Sequence, residues 1–292
     1  MKFKLSCPAK INLYLKVISQ YKNNYHEIES ILSFIDLYDY LEINISKTNN
    51  KSQIKLRISS DLDIADINSN NILTNIHRYF VNNYNINYDF DILINKNIPL
   101  GSGLGGASSN AATFIKFINN QFNLQISEEE LHALSFKFGS DIAFFLADKS
   151  SIIRDIGHIA CDYQKSIKQD ILIIYPNINI ATSKIFNLYN NKFSSKTPDN
   201  IINNTDQLEI LSNFDNDLEN IVLNYYPLIL EIKNYILKLN PVILKMSGSG
   251  STFFAIFSNK NDLENAKKSI QKHYPSIFIK KCKILDHYDE KI

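Results

Sequence analysis

The feature that most constrains this sequence is a cluster of glycines in a chain that has few of them. The chain has 292 residues and eight glycines, and four of the eight lie between Pro99 and Gly106. Alternating residues over 88–94 predict a strand before the cluster, and apolar residues at helical spacing over 111–122 predict a helix after it. Glycine lets backbone N–H groups approach an anion, and a helix N-terminus adds unpaired donors and a positive dipole end. The stretch therefore predicts a phosphate-binding loop.

Three other interpretations of this loop fit the sequence less well. Its glycines also match G-x-G-x-x-G, but a dinucleotide site needs a second strand that ends in an acidic residue about 20 residues on. At that position a helix begins instead, with Ser127 as N-cap and Glu130 three residues later. A Walker A motif needs Lys and then Ser or Thr directly after its last glycine, whereas Ala107-Ser108 follows Gly106. A plain tight turn would not need so many small residues.

Hydrophobic periodicity assigns the rest of the chain to an α+β fold. Strands are predicted near residues 3–17, 41–45, 54–58, 88–94, 170–175, 242–246, 252–257 and 277–284. Helices are predicted near residues 71–84, 111–122, 127–138, 206–223, 226–239 and 262–273, and the polar segment 187–205 is predicted to be a loop. The pattern weakens over 155–168 before a new apolar strand begins. We therefore expect two domains, 1–165 and 166–292.

Composition narrows the class of protein. Hydrophobic residues make up 45% and charged residues 21%, which is typical of globular proteins, and the net charge of +1 favours neither nucleic acid nor a basic partner. No apolar run approaches the ~20 residues of a membrane span, and strand alternation from Phe3 leaves no room for a signal or transit peptide. Three separated cysteines without CxxC, and histidines without HxH or HExxH spacing, predict no disulfide, no protein-built metal site and a reducing cytoplasm. The oligomeric state stays open.

Three motifs, in order along the chain, resemble those of a known family. They are Pro8-Ala9-Lys10-Ile11-Asn12-Leu13, the glycine cluster continued through Ser108-Ser109-Asn110-Ala111, and Lys245-Met246-Ser247-Gly248-Ser249-Gly250-Ser251. They resemble the motifs of the GHMP kinases, which transfer the γ-phosphate of ATP to a hydroxyl of a small metabolite. The resemblance spans nearly the whole chain. It implies a two-domain fold with an N-terminal ribosomal-S5-domain-2-like domain, a C-terminal ferredoxin-like domain and an active site between them.

The resemblance also implies residues for phosphoryl transfer, which needs an activated hydroxyl and neutralised phosphate charge. Asp141, after Gly139-Ser140, is the expected base, and Lys10 is expected to stabilise both that carboxylate and the phosphate. Without the resemblance, Asp141 could be a residue stabilised by a helix dipole and Lys10 a solvated strand residue. Magnesium is expected to arrive with ATP. The expected ATP-binding residues are Lys96, Pro99, Leu100, Gly101, Ser102, Gly103, Leu104, Gly105, Gly106, Ala107, Ser108, Ser109 and Asn110.

Tyr25-His26 and Gly139–Ile142 narrow the resemblance to family members whose substrate is a cytidyl diphosphate alcohol. In those members the tyrosine stacks on the cytosine, the histidine makes polar contacts, and a second aromatic residue, here Phe186, covers the opposite face. Stacking of this kind is worth about 1–3 kcal/mol per base. The expected substrate-binding residues are Asn12, Tyr25, His26, Thr182, Phe186 and Gly248.

Two alternatives remain at this point. The first is a GHMP kinase that acts on another small alcohol, of the homoserine or mevalonate type, in which Tyr25-His26 would have no base to bind. The second is an inactive nucleotide-binding module, in which neither Lys10 nor Asp141 would be needed.

Overall fold

The structure is a computed structural model that describes residues 1–60, 71–157, 159–163, 169–190, 192–205, 207–285 and 287–288. Within these residues, runs of strands and runs of helices follow each other, as expected for the predicted α+β class. The strands are β1 (Lys2–Gln20), β2 (His26–Lys47), β3 (Ile54–Ser60), β4 (Tyr88–Lys96), β5 (Ser151–Asp155), β6 (Ile159–Asp162), β7 (Asp170–Tyr175), β8 (Ile243–Met246), β9 (Phe253–Ile256) and β10 (Phe278–Leu285). The helices are α1 (Ile72–Asn83), α2 (Gly106–Phe122), α3 (Glu128–Phe138), α4 (Ile142–Ala147), α5 (Thr182–Asn187), α6 (Asp199–Asn204), α7 (Gln207–Asn213), α8 (Glu219–Tyr225), α9 (Pro227–Leu237) and α10 (Lys260–His273).

The strands form two groups that meet at β2. In the first group β2 pairs antiparallel with β1, β4 and β5, and β3 joins β4 in parallel. In the second group the strands are antiparallel in the order β10–β7–β9–β8. The groups join where Ile284 and Leu285 of β10 pair with Ile35 and Phe34 of β2. Residues 165 and 166 lie outside the described residues, so the division into domains 1–165 and 166–292 stays a prediction.

Apolar side chains on both faces of β7 hold the second group in place. Leu172 and Ile174 pack in one cluster with Ile232 of α9 and Leu263 of α10. The alternate residues of β7 pack instead in a cluster that includes Ile11 of β1. A strand buried on both faces reads as a continuous apolar run, which is why the sequence predicted this strand with the bounds that the structure has.

The first part of β2 was missed because it lacks alternation. The sequence predicted a strand over 41–45, but β2 begins at His26. Every side chain over residues 30–35 is buried, so polar and apolar residues do not alternate there. Only the second half of the strand has the period of two on which such a prediction depends.

Two predictions in the second half of the chain are wrong. The helix expected over 206–223 is two helices, α7 and α8, of which residue 206 itself lies outside the described residues. The intervening backbone pairs with β1: Leu15 N donates to Asp215 O (3.2 Å), and Asp217 N donates to Leu15 O (2.8 Å). Backbone groups that bond to a strand cannot also form helical bonds. The segment 187–205, predicted as a loop, contains α6.

The cap predicted at Ser127 is present. Its hydroxyl accepts a hydrogen bond from Glu130 N at 3.2 Å, and α3 begins at Glu128. The Glu130 carboxylate accepts from the hydroxyls of Tyr79 (2.9 Å) and Tyr84 (2.5 Å), which tie α3 to α1 and to the residue that follows it. No helix within the described residues is both long and apolar enough to cross a membrane.

Candidate active site

A cleft of about 640 Å³ collects side chains from distant parts of the chain. Its walls come from β1, the hairpin between β1 and β2, the glycine loop 99–106, the residues before α4, α5, and a second glycine loop at 246–251. The predicted site residues that line it are Lys10, Asn12, Tyr25, His26, Lys96, Pro99, Leu100, Gly101, Ser102, Gly103, Leu104, Gly105, Gly106, Ala107, Ser108, Asp141, Thr182, Phe186 and Gly248. Ser109 and Asn110 are buried in α2 and do not line it.

The glycine loop has the backbone conformation that its composition predicts. Gly101, Gly103 and Gly105 have φ values of +65°, +76° and +75°, which L side chains rarely adopt. A Cβ at Gly103 would lie 3.1 Å from the carbonyl oxygen of Ser247, so the two glycine loops approach each other closely. Gly105 is the N-cap of α2, and no side chain caps that helix. The N–H groups of its first turn are therefore available to an anion in the cleft.

Two hydrogen bonds fix the loop to its surroundings. Lys10 N donates to Leu104 O at 3.0 Å, which ties the loop to β1. Thr252 Oγ1 donates to Ser102 O at 2.6 Å, which ties it to the end of the second glycine loop. The loop is thus held from both sides before any ligand enters.

Lys10 and Asp141 face each other across the cleft. Their Nζ and Oδ2 atoms are 3.5 Å apart, and the side chains are 5% and 39% exposed. A lysine this deeply buried does not fit the alternative of a solvated strand residue. Asp141 precedes α4 but makes no side-chain cap bond to it, so no hydrogen bond commits its carboxylate to that helix. The pair can offer a proton acceptor and a fixed positive charge to the same ligand.

An aromatic group lies at another part of the cleft wall. The rings of His26 and Phe186 lie 5.2 Å apart at 30°, and Tyr189 approaches His26 edge-on at 5.9 Å. His26 is buried, its Nε2 has no hydrogen-bond partner in the structure, and burial lowers its pKa. Tyr25, by contrast, is 59% exposed at the tip of the β1–β2 hairpin. This end of the cleft therefore combines the exposed ring of Tyr25 with a buried polar atom that has no partner in the structure.

The second glycine loop is positioned by a residue that the sequence analysis missed. Asn216 is buried, and its Nδ2 donates to the carbonyl oxygens of Met246 (2.9 Å) and Gly248 (2.8 Å). The Ser249 hydroxyl meets the Thr182 hydroxyl at 2.8 Å, which links the loop to α5. Asn216 lies in the segment that was predicted to be helix, and no motif includes it.

Comparison with known proteins agrees with this geometry. Residues 71–149 match the family model described as GHMP kinases N terminal domain, and residues 202–276 match GHMP kinases C terminal. The chain is 34% identical to 4-diphosphocytidyl-2-C-methyl-D-erythritol kinase of Prochlorococcus marinus (strain MIT 9301), over 92% of this chain and 89% of that protein. It is 30% identical to the kinase of the same name from Clostridioides difficile (strain 630), over 94% of each. The chain belongs to the GHMP kinase family.

Solved structures show the same fold. A structure of 4-(cytidine 5'-diphospho)-2C-methyl-D-erythritol kinase matches with a TM-score of 0.76 at 22% identity, over 97% of this chain and 99% of that chain. Homoserine kinase from Cytophaga hutchinsonii matches with a TM-score of 0.68 at 16% identity, over 99% and 96%. The predictions of a GHMP kinase fold and of a small-molecule kinase are confirmed. The role of each cleft residue stays a prediction.

Lys96 of this GHMP kinase has a partner that the sequence did not reveal. Its Nζ lies 2.5 Å from Asp39 Oδ2, and both side chains are buried. Asp39 Oδ1 accepts from the backbone N of Asn97 (2.8 Å) and Ile98 (2.9 Å). Turning the Asn110 amide so that its nitrogen faces Asp39 lets it donate to Oδ2 at 3.2 Å. Asn110 can thus bond to Asp39, which also binds the backbone just before the glycine loop. The signal in the sequence was Asp39 itself, an acidic residue within a buried strand.

The described residues contain no group of three or more His, Cys, Asp or Glu side chains that could hold a metal ion. Magnesium that arrives with a nucleotide needs fewer protein ligands, because phosphate oxygens and water supply most of its ligands. Ser108 and Asp141 both line the cleft and offer hard oxygen donors. The donor set of this kinase therefore fits a nucleotide-borne magnesium ion.

Proposed function

We propose that this kinase transfers the γ-phosphate of ATP to the 2-hydroxyl of 4-diphosphocytidyl-2-C-methyl-D-erythritol, in isopentenyl diphosphate biosynthesis by the non-mevalonate pathway. The observation that carries the proposal is that one cleft holds the glycine loop, the Lys10–Asp141 pair and the aromatic group of Tyr25, His26 and Phe186. Relatives at 30–34% identity over most of the chain bear the name of this kinase. We also propose that the kinase acts in the cytoplasm, because its three cysteines are widely separated and form no CxxC motif.

The nucleotide would bind with its phosphates at the glycine loop. The positive φ values there turn the backbone toward the cleft, and the uncapped start of α2 supplies N–H donors. Magnesium carried by the phosphates would supply charge neutralisation at their oxygens, and Ser108 is the residue we place beside it. Lys96, paired with Asp39, would place its ammonium beside Gly106, where an added Cβ would lie 3.0 Å from its Nζ.

Transfer itself would use Lys10 and Asp141. Asp141 accepts the proton of the 2-hydroxyl while the hydroxyl oxygen forms its bond to the γ-phosphorus. The bond from that phosphorus to the β,γ-bridging oxygen breaks, and ADP leaves with the electron pair. Lys10 keeps its proton throughout and stabilises the charge that develops on the phosphoryl oxygens. Both groups already lie within 3.5 Å of each other, so little reorganisation is needed.

The aromatic group would bind the cytosine. Tyr25 and Phe186 supply the stacking faces, and the unpaired Nε2 of His26 supplies a polar contact. Burial keeps the pKa of His26 below its ordinary value, so the ring is neutral at pH 7 and can act as donor or acceptor. Homoserine and mevalonate have no base, and they would leave this end of the cleft unused.

The test is an assay of ADP release with three alcohols: 4-diphosphocytidyl-2-C-methyl-D-erythritol, homoserine and mevalonate. We expect turnover with the cytidyl substrate alone, and Asp141→Asn protein serves as the control for contaminating kinases. Turnover of homoserine or mevalonate without turnover of the cytidyl substrate would overturn the substrate assignment. Binding of ATP without turnover of any of the three would favour the inactive module.

A further inference from the structure

A chain of buried hydrogen bonds runs from Lys10 away from the cleft. Lys10 Nζ donates to Asn12 Oδ1 at 2.7 Å, and Asn12 Nδ2 donates to Ser30 Oγ at 2.8 Å. Ser30 Oγ in turn donates to the carbonyl oxygen of Tyr14 at 2.5 Å. Lys10, Asn12 and Ser30 are all at least nine-tenths buried, and Ser30 does not line the cleft. No motif and no predicted site residue includes Ser30.

The direction of each bond in this chain follows from a count of protons. A serine hydroxyl has one proton, and here it is committed to the Tyr14 carbonyl. Toward Asn12, Ser30 can therefore only accept, which requires the amide nitrogen of Asn12 to face it. The amide oxygen must then face Lys10, because the two atoms lie on opposite sides of the group. Ser30 thus holds the Asn12 amide, from the side away from the ammonium, in the orientation that Lys10 requires, and Ser247 Oγ, which donates to Oδ1 at 3.5 Å, favours the same orientation.

The consequence for Lys10 is also a matter of donors. Its ammonium has three N–H groups, of which one goes to Asn12 and one faces Asp141. The third is left for the space beside Gly248, where an added Cβ would lie 3.6 Å from Nζ. A reversed amide would place an NH₂ group against the ammonium, and Lys10 would have to move away from the position from which it reaches both Asp141 and the phosphate.

We propose that Ser30 is a positioning residue for phosphoryl transfer: by accepting from Asn12 it holds the amide oxygen against Lys10 and so fixes the ammonium in the cleft. The proposal rests on the role of Lys10 in the proposed function. It also gives Asn12 a task besides the predicted substrate contact, since both ends of its amide are engaged within the protein.

The test compares Ser30→Ala and Ser30→Cys with wild type. Alanine removes the acceptor, and cysteine keeps the shape of the side chain with a much weaker acceptor, so a cavity and a lost hydrogen bond can be told apart. Because loss of a hydrogen bond in a network that includes a charged group is costly, kcat should fall about 5- to 20-fold in both variants. The KM values for ATP and for the alcohol should stay within about twofold, because neither ligand touches Ser30.

Ser33 provides the matched control. It lies on the same strand, is fully buried, and its hydroxyl accepts from that of Ser150 at 3.2 Å, away from Lys10. Ser33→Ala should lower the melting temperature about as much as Ser30→Ala while kcat stays near wild type. A kcat for Ser30→Ala or Ser30→Cys within twofold of wild type would overturn the proposal. So would an equal loss in Ser33→Ala, or a rise in KM alone.

The two proposals can fail separately. Wild-type turnover of the cytidyl substrate is measured first, and its absence counts against the proposed function. The comparison of the serine variants then uses whichever alcohol wild type accepts, since Lys10 and Ser30 would act in the same way on any of them.

Discussion

The two ends of the cleft differ in how firmly bonds within the protein hold their groups in place. At the phosphate end, Lys10 is buried and bonded to Asn12, and the glycine loop is tied to β1 and to Thr252. At the base end, Tyr25 is 59% exposed, and the Nε2 atom of His26 is buried without a partner. The groups of the phosphate end are held in place by bonds within the protein, whereas the base end has an exposed ring and a polar atom without a partner.

This difference separates the end of the cleft that sets the geometry of phosphoryl transfer from the end that contributes substrate affinity. Charge stabilisation in a transition state requires groups that are already in place, because reorganisation would cost part of the effect. A base-binding site acts equally on substrate and transition state, so it can be completed by the substrate itself. Changes at the phosphate end should therefore lower kcat, and changes at the base end should raise KM.

Asp141→Asn should have the largest effect. The substitution keeps the size of the side chain and removes the proton acceptor beside Lys10, so kcat should fall by about 10²–10⁴-fold. ATP affinity, measured by calorimetry, should change little because Asp141 is not part of the glycine loop. A variant that keeps more than about a third of wild-type kcat would show that Asp141 is not the base.

Truncation of Tyr25 or Phe186 to Ala should act at the other end. Loss of one stacking face should raise the KM for the cytidyl substrate by roughly 5- to 150-fold with a smaller fall in kcat, and leave the KM for ATP unchanged. Phe136→Ala is the control, because that ring is 64% exposed and outside the cleft. Free CMP should inhibit wild type more strongly than either cleft variant. Equal inhibition of all three would show that the base is bound elsewhere.

Gly103→Val tests whether the glycine loop needs its backbone conformation. A Cβ there meets carbonyl oxygens of Ser247 and Gly250 at 3.1 and 3.2 Å, and φ is +76°. Strain of about 1–2 kcal/mol from the left-handed backbone, together with these contacts, should weaken ATP binding by about 10- to 100-fold. Gly103→Ala should lose less. Calorimetry would contradict the phosphate-binding role if the valine variant, still folded by circular dichroism, bound ATP like wild type.

His26→Gln should have the smallest effect, on the pH dependence of stability. Burial lowers the pKa of His26 in the folded protein, so the unfolded chain binds a proton first as the pH falls through about 6.5. The free energy of unfolding therefore falls as the pH drops below about 6.5, by at most about 1.4 kcal/mol per pH unit for this one group. In urea titrations at different pH values, the unfolding free energy of the variant should fall less steeply with decreasing pH than that of wild type. Part of the decline should remain in the variant, because burial also lowers the pKa of His77, to about 4.

Sequence reasoning found the features that depend on neighbours in the chain. The glycine loop, the helix after it and the cap at Ser127 are all encoded within a dozen residues or so, and the structure has each of them. Family resemblance supplied Lys10, Asp141 and the aromatic group, which no periodicity could have linked. The cleft brings these together from β1, the β1–β2 hairpin, the residues before α4, and α5.

What the sequence did not show depends on contacts between distant segments. Asp39 and Lys96 are 57 positions apart, and Asn216 and Gly248 are 32 apart, so no local pattern relates them. Ser30 looks like any small residue of a buried strand until its single proton is traced to Tyr14. The break between α7 and α8 likewise includes pairing with β1, although the Asn and Asp residues of segment 213–217, which are poor helix formers, were a local signal for it.

The pairing of β10 with β2 has a consequence for synthesis on the ribosome. Ile284 and Leu285 complete the edge of β2 at Ile35 and Phe34, about 250 positions earlier in the chain. Until those residues emerge, the nascent protein leaves the backbone of β2 at Phe34 and Ile35 without its β10 partner, even after β4 and β5 have joined the neighbouring parts of the strand. At roughly 5–20 residues per second, that edge stays open for about ten seconds or more, long enough to pair with another chain.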